Sequence, residues 1–439
     1  MSSSSTTVAA ATAVPFLSVA AISYEGSIFG WKVNELAPPP GDRADSIDDD
    51  DEDDDKESIG LEMKMSFGFH TSVGSLKAIA VSKSGIYLVC GGMDERIRIY
   101  NVMENKSLGD LTAHKGAVTC LEFFEDSYLF SGSDDCSICI WRVSDWENVH
   151  ILGGHKASVN DISIHPSGKL ALSVSKDNTI KMWNLVQGRL GFTRRLKGPS
   201  NSVNWHTGSN GSYYMLASQT ELLLHSAADN SLSASISFTS RINKTLFLSQ
   251  SSSGNFDTTT ERMITICENK NLYVNAFTGE LLYTISIEGL NGRPRDMYVS
   301  VYDISAIKNM TMRQILLQNR ASNNETCSNT RHDCVTIVTS NGRVGVFSAS
   351  SLYGGSSMEE SMLCATQIKV EPRITGVVSW SSLNTEDKSH KLRVKLQSVD
   401  ATVVKQKQQG GDGEVKKSKK RVTIKVDNAM KSKKQKKHN

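Results

Sequence analysis

The chain has 439 residues, 38% of them hydrophobic, with 49 Lys and Arg against 47 Asp and Glu. No apolar run of about eighteen residues occurs, which excludes a membrane-spanning helix. The formal net charge of +2 conceals two opposed runs: residues 42–57 hold eleven acids against Arg43 and Lys56, and residues 405–439 hold thirteen Lys or Arg against three acids.

Residues 1–14 (MSSSSTTVAAATAV) carry no basic start, so a secretory signal is not expected and the stretch is predicted disordered. Two strands follow, Phe16 to Tyr24 and Ser27 to Val33. The acidic insert, 37–60, comes next. Its balance of −9 over 42–57 leaves too little apolar content to offset the entropy of ordering. Ser46, ahead of Asp48 to Asp50, suits an acidophilic kinase. Three segments then repeat one pattern: MDERIRIY (Met93 to Tyr100), DDCSICIW (Asp134 to Trp141) and KDNTIKMW (Lys176 to Trp183). In each, an Asp (Asp94, Asp135, Asp177) stands six residues ahead of an aromatic (Tyr100, Trp141, Trp183), and the aromatics are spaced by 41 and 42 residues. A His leads each unit: His70, His114 and His155. A period near 41 with a leading His and a closing aromatic is the pattern of the WD40 β-propeller repeat.

The register extends outward from these three. Forward it reaches His225 in QTELLLH, Asn275 in NKNLYVN and Phe347 in NGRVGVF; backward it reaches Trp31 in SIFGWKV. Three gaps are longer than the period. The excess falls in the acidic insert and in two polar loops, 251–261 and 308–332. Seven closing positions predict seven blades. The first holds only two obvious strands before Trp31, so its inner strand is expected from RITGVVSW (Arg373 to Trp380), which would leave no open edge in the ring. LRVKLQSV (392–399) alternates as an edge strand does but finds no place. The expectation is an all-β, seven-bladed WD40 β-propeller over 15–399, with a disordered acidic insert and a lysine-rich disordered tail over 400–439.

His155, Ser173 or Ser175, Asp177 and Trp183 contain the members of a Ser-His-Asp catalytic trio. The same set recurs as His114, Ser131 or Ser133, Asp135 and Trp141. An enzyme needs one site, whereas this set returns once per repeat. It is therefore read as a structural hydrogen-bond chain from Trp through Ser and His to Asp. Cys136 and Cys139 form a lone Cys-x-x-Cys and are read as strand residues in a reducing compartment. No cofactor, metal or small-molecule substrate is called for, and no enzyme. The closing dipeptides Tyr100-Asn101, Trp141-Arg142 and Trp183-Asn184 are not Trp-Asp, which speaks against a ubiquitin-ligase receptor.

Loops alternate between the two faces of such a disc, so the His and Asp loops share one face. The three long insertions are expected on the other. The tail carries KKSKKR (Lys416, Lys417, Lys419, Lys420, Arg421) and KSKKQKK (Lys431, Lys433, Lys434, Lys436, Lys437), which read as nuclear targeting and phosphate contact with RNA. No aromatic residue stands among them, so base stacking is not implied. A +10 tail resting on the −9 insert until RNA displaces it is a further expectation.

The run SIHPSGKLALSVSKDNTIKMWNLVQGR (Ser163 to Arg189) resembles the p21-activated kinase-interacting protein 1 family, which includes the yeast maintenance-of-killer propeller. LFSGSDDCSICIWRVSDWE (Leu129 to Glu147), RITGVVSW and the lysine-rich tail are similar to it too. The resemblance implies a nucleolar factor for assembly of the large (60S) ribosomal subunit and pre-rRNA processing. Its partners would be pre-60S assembly proteins and, through the tail, pre-rRNA; no membrane is involved. It also implies the alternative of an adaptor that binds the regulatory region of a p21-activated-type kinase and inhibits it.

Overall fold

The computed structural model describes residues 17–35, 61–71, 74–248, 256, 258–287, 290, 292–303, 331–349, 362–368 and 373–381. These residues form twenty-eight strands in seven four-stranded antiparallel sheets. We number the sheets as blades 1 to 7 from Leu76, and name the strands of each blade inner, second, third and outer. Blades 1 to 6 run continuously, from Leu76–Val81 as the inner strand of blade 1 to Met362–Gln367 as the outer strand of blade 6. Blade 7 is built from both parts of the chain: its inner strand is Ile374–Ser381, and its other three are Leu17–Ser23, Ser27–Glu35 and Leu61–His70. Leu17 pairs with Ser381 and Ser23 with Ile374, which closes the ring.

The second strands, such as Leu17–Ser23 and Leu170–Ser175, are buried along almost their whole length because each sheet is covered on both faces by its neighbours. The buried apolar side chains accordingly fall into seven clusters, one at each blade junction. All seven closing positions lie on third strands. In every blade the pairing of third and outer strand shifts register immediately before the closing residue, at Trp31, Tyr100, Trp141, Trp183, His225, Asn275 and Phe347. Such a bulge turns a side chain out of the plain alternation. Tyr100, Trp141, Trp183, Phe347 and Trp31 use it to pack against the preceding blade.

A second bulge recurs between inner and second strands, at Lys77, Thr119, Asn160, Asn243, Arg295 and Thr375. Four of these bulged side chains donate to the first turn of the next inner strand. Thr119 Oγ1 reaches Val159 O (2.5 Å), Asn160 Nδ2 reaches Ser200 O (2.8 Å), Asn243 Nδ2 reaches Pro294 O (2.6 Å) and Thr375 Oγ1 reaches Leu76 O (2.8 Å). The inner strands are thereby tied into a belt around the channel.

Two sequence expectations change. The polar stretch 251–261 reaches the core at two points: Phe256 packs 5.4 Å from the His206 ring and 5.5 Å from Phe277, and Glu261 is fully buried. The expected loop 308–332 is shorter at its far end, because a strand begins at Arg331 (Arg331–Thr339). Residues 1–14, the acidic run 42–57, LRVKLQSV and the lysine clusters of 416–437 lie outside the described residues.

Candidate interaction faces and the networks behind them

In blade 2, Trp141 Nε1 donates to Ser131 Oγ (2.9 Å), Ser131 Oγ donates to His114 Nε2 (2.8 Å), and His114 Nδ1 donates to Asp135 Oδ2 (3.0 Å). Blade 3 repeats this with Trp183, Ser173, His155 and Asp177 at 2.8, 2.7 and 3.0 Å. One direction of donation satisfies every member, with each His donating from Nδ1 and accepting at Nε2. Of the two serines open in each sequence, Ser131 and Ser173 carry the chain. Ser133 and Ser175 instead donate to Gly116 O and Ala157 O, 2.9 Å in both cases. Both network serines are fully buried and engaged on both sides, so neither hydroxyl is presented to a substrate.

The electrostatics follow from burial and these bonds. Burial pushes the His155 imidazole down, against the pull of Asp177. Burial would raise the Asp177 carboxyl, but bonds from Thr179, from the Lys156 N–H and from His155 outweigh it and hold the group at about 2. Asp135 is lowered in the same way, its burial opposed by Ser137, the Lys115 N–H and His114.

The other blades replace this network. His70 does not lead blade 1. It ends the outer strand of blade 7, with Nδ1 3.0 Å from Ser27 Oγ. In blade 1 the Ser position is Cys90, a weak partner, and Asp94 pairs instead with Arg98 from the third strand. In blade 6 the three positions are Leu290, Ile337 and Phe347, which share one apolar cluster. In blade 5 they include Thr265 and Asn275, whose Oγ1 and Oδ1 are buried without a hydrogen-bond partner among the described residues. Cys139 is buried and Cys136 occupies the turn after Asp135 with φ 70°; both are free thiols.

Two polar groupings escaped the sequence reading. At the junction of blades 4 and 5, His206 Nε2 donates to Glu261 Oε2 (3.0 Å), with both side chains fully buried. The Ser209 N–H donates to His206 Nδ1 (3.0 Å), which fixes that tautomer. On the channel wall, Glu122, Asp161 and Asp296 accept backbone N–H groups of the next blade, from Ile164 (3.3 Å), Val203 (3.1 Å) and Val377 (2.9 Å). Lys244 Nζ lies 3.7 Å from Asp296 Oδ1. Its side chain is 33% exposed and that of Asp296 17%. Burial and the nearby Asp161 push Glu122 up to about 8, and burial pushes Asp161 up to about 6 despite Lys244. The missed signal was a polar residue recurring near the start of successive inner strands.

The two faces differ. Connections entering the inner strands, and the turns between second and third strands, share the face with His114 and His155. The strand ends flanking 36–60, 304–330 and 350–361 all lie on the opposite face, as do Leu17 and Ser381. The described part of that opposite face mixes signs, with pairs such as Lys83 with Glu125 (2.6 Å) and Arg142 with Asp145 (2.5 Å).

Seven such blades, two of them tied by this network, define a WD40 β-propeller, an interaction platform by class. The family model of the WD domain, G-beta repeat, matches residues 62–101, 105–142 and 146–184. Each match begins in the outer strand of one blade and ends in the third strand of the next, so the repeat in sequence is one strand out of phase with the blade. The chain is similar to p21-activated protein kinase-interacting protein 1-like of Gallus gallus, 37% identical over 185 residues, 42% of this chain and 49% of that protein. It is 38% identical over 185 residues to p21-activated protein kinase-interacting protein 1 of Homo sapiens, 42% of this chain and 46% of that protein. It is 36% identical over 178 residues to Protein MAK11 of Saccharomyces cerevisiae, 36% of this chain and 42% of that protein. The resemblance to the p21-activated kinase-interacting protein 1 family thus holds in all three, and the chain spans about half the length of the relatives it matches, or somewhat less.

Proposed function

We propose that this protein is a non-enzymatic scaffold in nucleolar assembly of the large ribosomal subunit and in pre-rRNA processing. The observation that carries the reading is a rigid ring offering surfaces, joined in sequence to the lysine clusters 416–421 and 431–437. Lysines without interleaved aromatics suit phosphate contact and nuclear targeting. Pre-60S assembly proteins would dock on the propeller, and pre-rRNA on the tail. A second reading, a kinase adaptor that binds and restrains a p21-activated-type kinase, is favoured by the names of the relatives from Gallus gallus and Homo sapiens.

Sedimentation of the tagged protein on a sucrose gradient of nuclear extract separates the two. Migration with large-subunit precursors, together with unprocessed large-subunit rRNA on depletion, is the expected outcome. Migration as free protein with normal rRNA processing would discard the assembly reading in favour of the adaptor.

A further inference from the structure

On the face that carries His114 and His155, each connection that enters an inner strand from blade 2 to blade 7 holds one described cation; that of blade 7 also has Lys369 in sequence, outside the described residues. In order they are Lys115, Lys156, Lys197, Arg241, Arg293 and Arg373, all exposed. Arg373 is engaged, its Nε 2.8 Å from Glu25 Oε1 and its guanidinium over the Tyr24 ring. The other five make no ion pair among the described residues. They come from five successive junctions and therefore form an arc around the channel mouth.

Four of the five are fixed in place by their backbones. The N–H groups of Lys115 and Lys156 donate to the network carboxylates Asp135 and Asp177, 2.8 Å in each case. Arg241 O and Arg293 O accept from Glu268 N (2.9 Å) and Ser340 N (2.7 Å) in the neighbouring turns. These bonds thus hold the backbones that carry the charges at set intervals, while the exposed side chains keep their freedom until a ligand orders them. The exposed large apolar side chains on this face, Tyr24 and Met93, flank the junction of blades 7 and 1, away from the arc. A ligand there would meet charge, with neither stacking platform nor apolar anchor.

We propose that this arc binds flexible single-stranded RNA through its phosphates. Repeated single cations match a ligand of repeated single anions. A duplex is stiff over about 150 base pairs and would touch the arc only along a chord, whereas a single strand can follow the curve. The arc lies wholly on the propeller and needs nothing from residues 416–437, so it stands or falls apart from the assembly reading.

The test uses the full chain and a labelled oligouridine, titrated at several salt concentrations. The variant carries Lys115→Glu, Lys156→Glu, Arg241→Glu and Arg293→Glu, and a second carries Gln at the same four positions in case charge reversal impairs folding. Thermal melting checks both. The tail is intact throughout, so its contribution cancels. The expected result is a salt slope shallower by about 0.7 for each removed contact, and affinity at low salt lower by roughly tenfold or more. Unchanged slope and affinity in a folded variant would overturn the proposal. So would wild-type binding of poly-glutamate in preference to oligouridine, which would reassign the face to an acidic polypeptide, or equal loss of affinity for a DNA duplex.

Discussion

Asp177 holds blade 3 together through one carboxyl group. It receives His155, Thr179 Oγ1 (2.5 Å) and the N–H groups of Lys156 (2.8 Å) and Thr179 (2.9 Å). Asp177→Ala leaves His155 Nδ1, in a fully buried ring, with only the longer contact to Thr179 Oγ1 (3.3 Å) in reach. The expected cost is about 1–3 kcal/mol, the penalty for an orphaned buried polar group, read as a shift in urea midpoint. Unchanged stability would show that the network is ornamental. The same site sets an acid dependence. Asp177 is depressed to about 2, so its contribution is complete above the ordinary carboxylate range and is lost as pH falls toward 2. His155 is depressed too, so stability already declines as pH drops below the ordinary imidazole value. Asp177→Ala should flatten the lower part of that decline.

At the level of the element, the inner strand does two jobs. Its bulge sends Thr119, Asn160, Asn243 or Thr375 to the next blade, and its carboxylates Glu122, Asp161 and Asp296 crowd into the channel. Close packing underlies the belt: a Cβ on Gly92, in the second strand of blade 1, would lie 2.0 Å from Ser75 O. Glu122 has one oxygen bonded to Ile164 N–H and the other without a partner among the described residues. Because its pKa is raised to about 8, the native state holds a proton that the unfolded chain would release. The cost to stability therefore grows from the ordinary carboxylate range up to about pH 8 and then levels off. Glu122→Gln keeps the acceptor and removes the charge. It should raise the melting temperature at pH 9, with the gain fading toward pH 5; a gain that does not depend on pH would exclude this cause.

The strand pattern was legible in the sequence because each closing residue sits at a bulge set by neighbours a few residues away. The His, Asp and Trp of the tetrad in blades 2 and 3 could be named for the same reason, their spacing within one blade being fixed, while the serine was narrowed to two neighbours. His70 was misplaced because only the fold shows that it ends the outer strand of blade 7, three strands out from the inner one.

For the whole molecule the decisive contact is closure. Ile374–Ser381 pairs with Leu17–Ser23, and Val377, Val378 and Trp380 are buried at the seam. Trp380 lies over Gly85, where φ is +73° and a Cβ would sit 2.2 Å from the ring. A chain ending at residue 372 would lack these side chains and leave the apolar groups they cover open to water, at about 2 kcal/mol for each large one, and would expose the strand edge of Leu17–Ser23. It should lose its cooperative melt or aggregate. A chain ending at residue 381 should melt as the full chain does. Equal melting of the two would mean that the seam contributes nothing.

The sequence by itself determined the blade count, the closing residues and the recurring networks, because these depend on spacings within single repeats. The sequence also pointed to RITGVVSW as the strand that closes the ring, and Ile374–Ser381 does so. Only the tertiary structure decided that Glu122, Asp161, Lys244 and Asp296 come near one another, and that five cations without an ion pair among the described residues share an arc. Those groups are tens to hundreds of residues apart, and what joins them is the rotation from one blade to the next, which the packing of neighbouring sheets sets and no local pattern encodes.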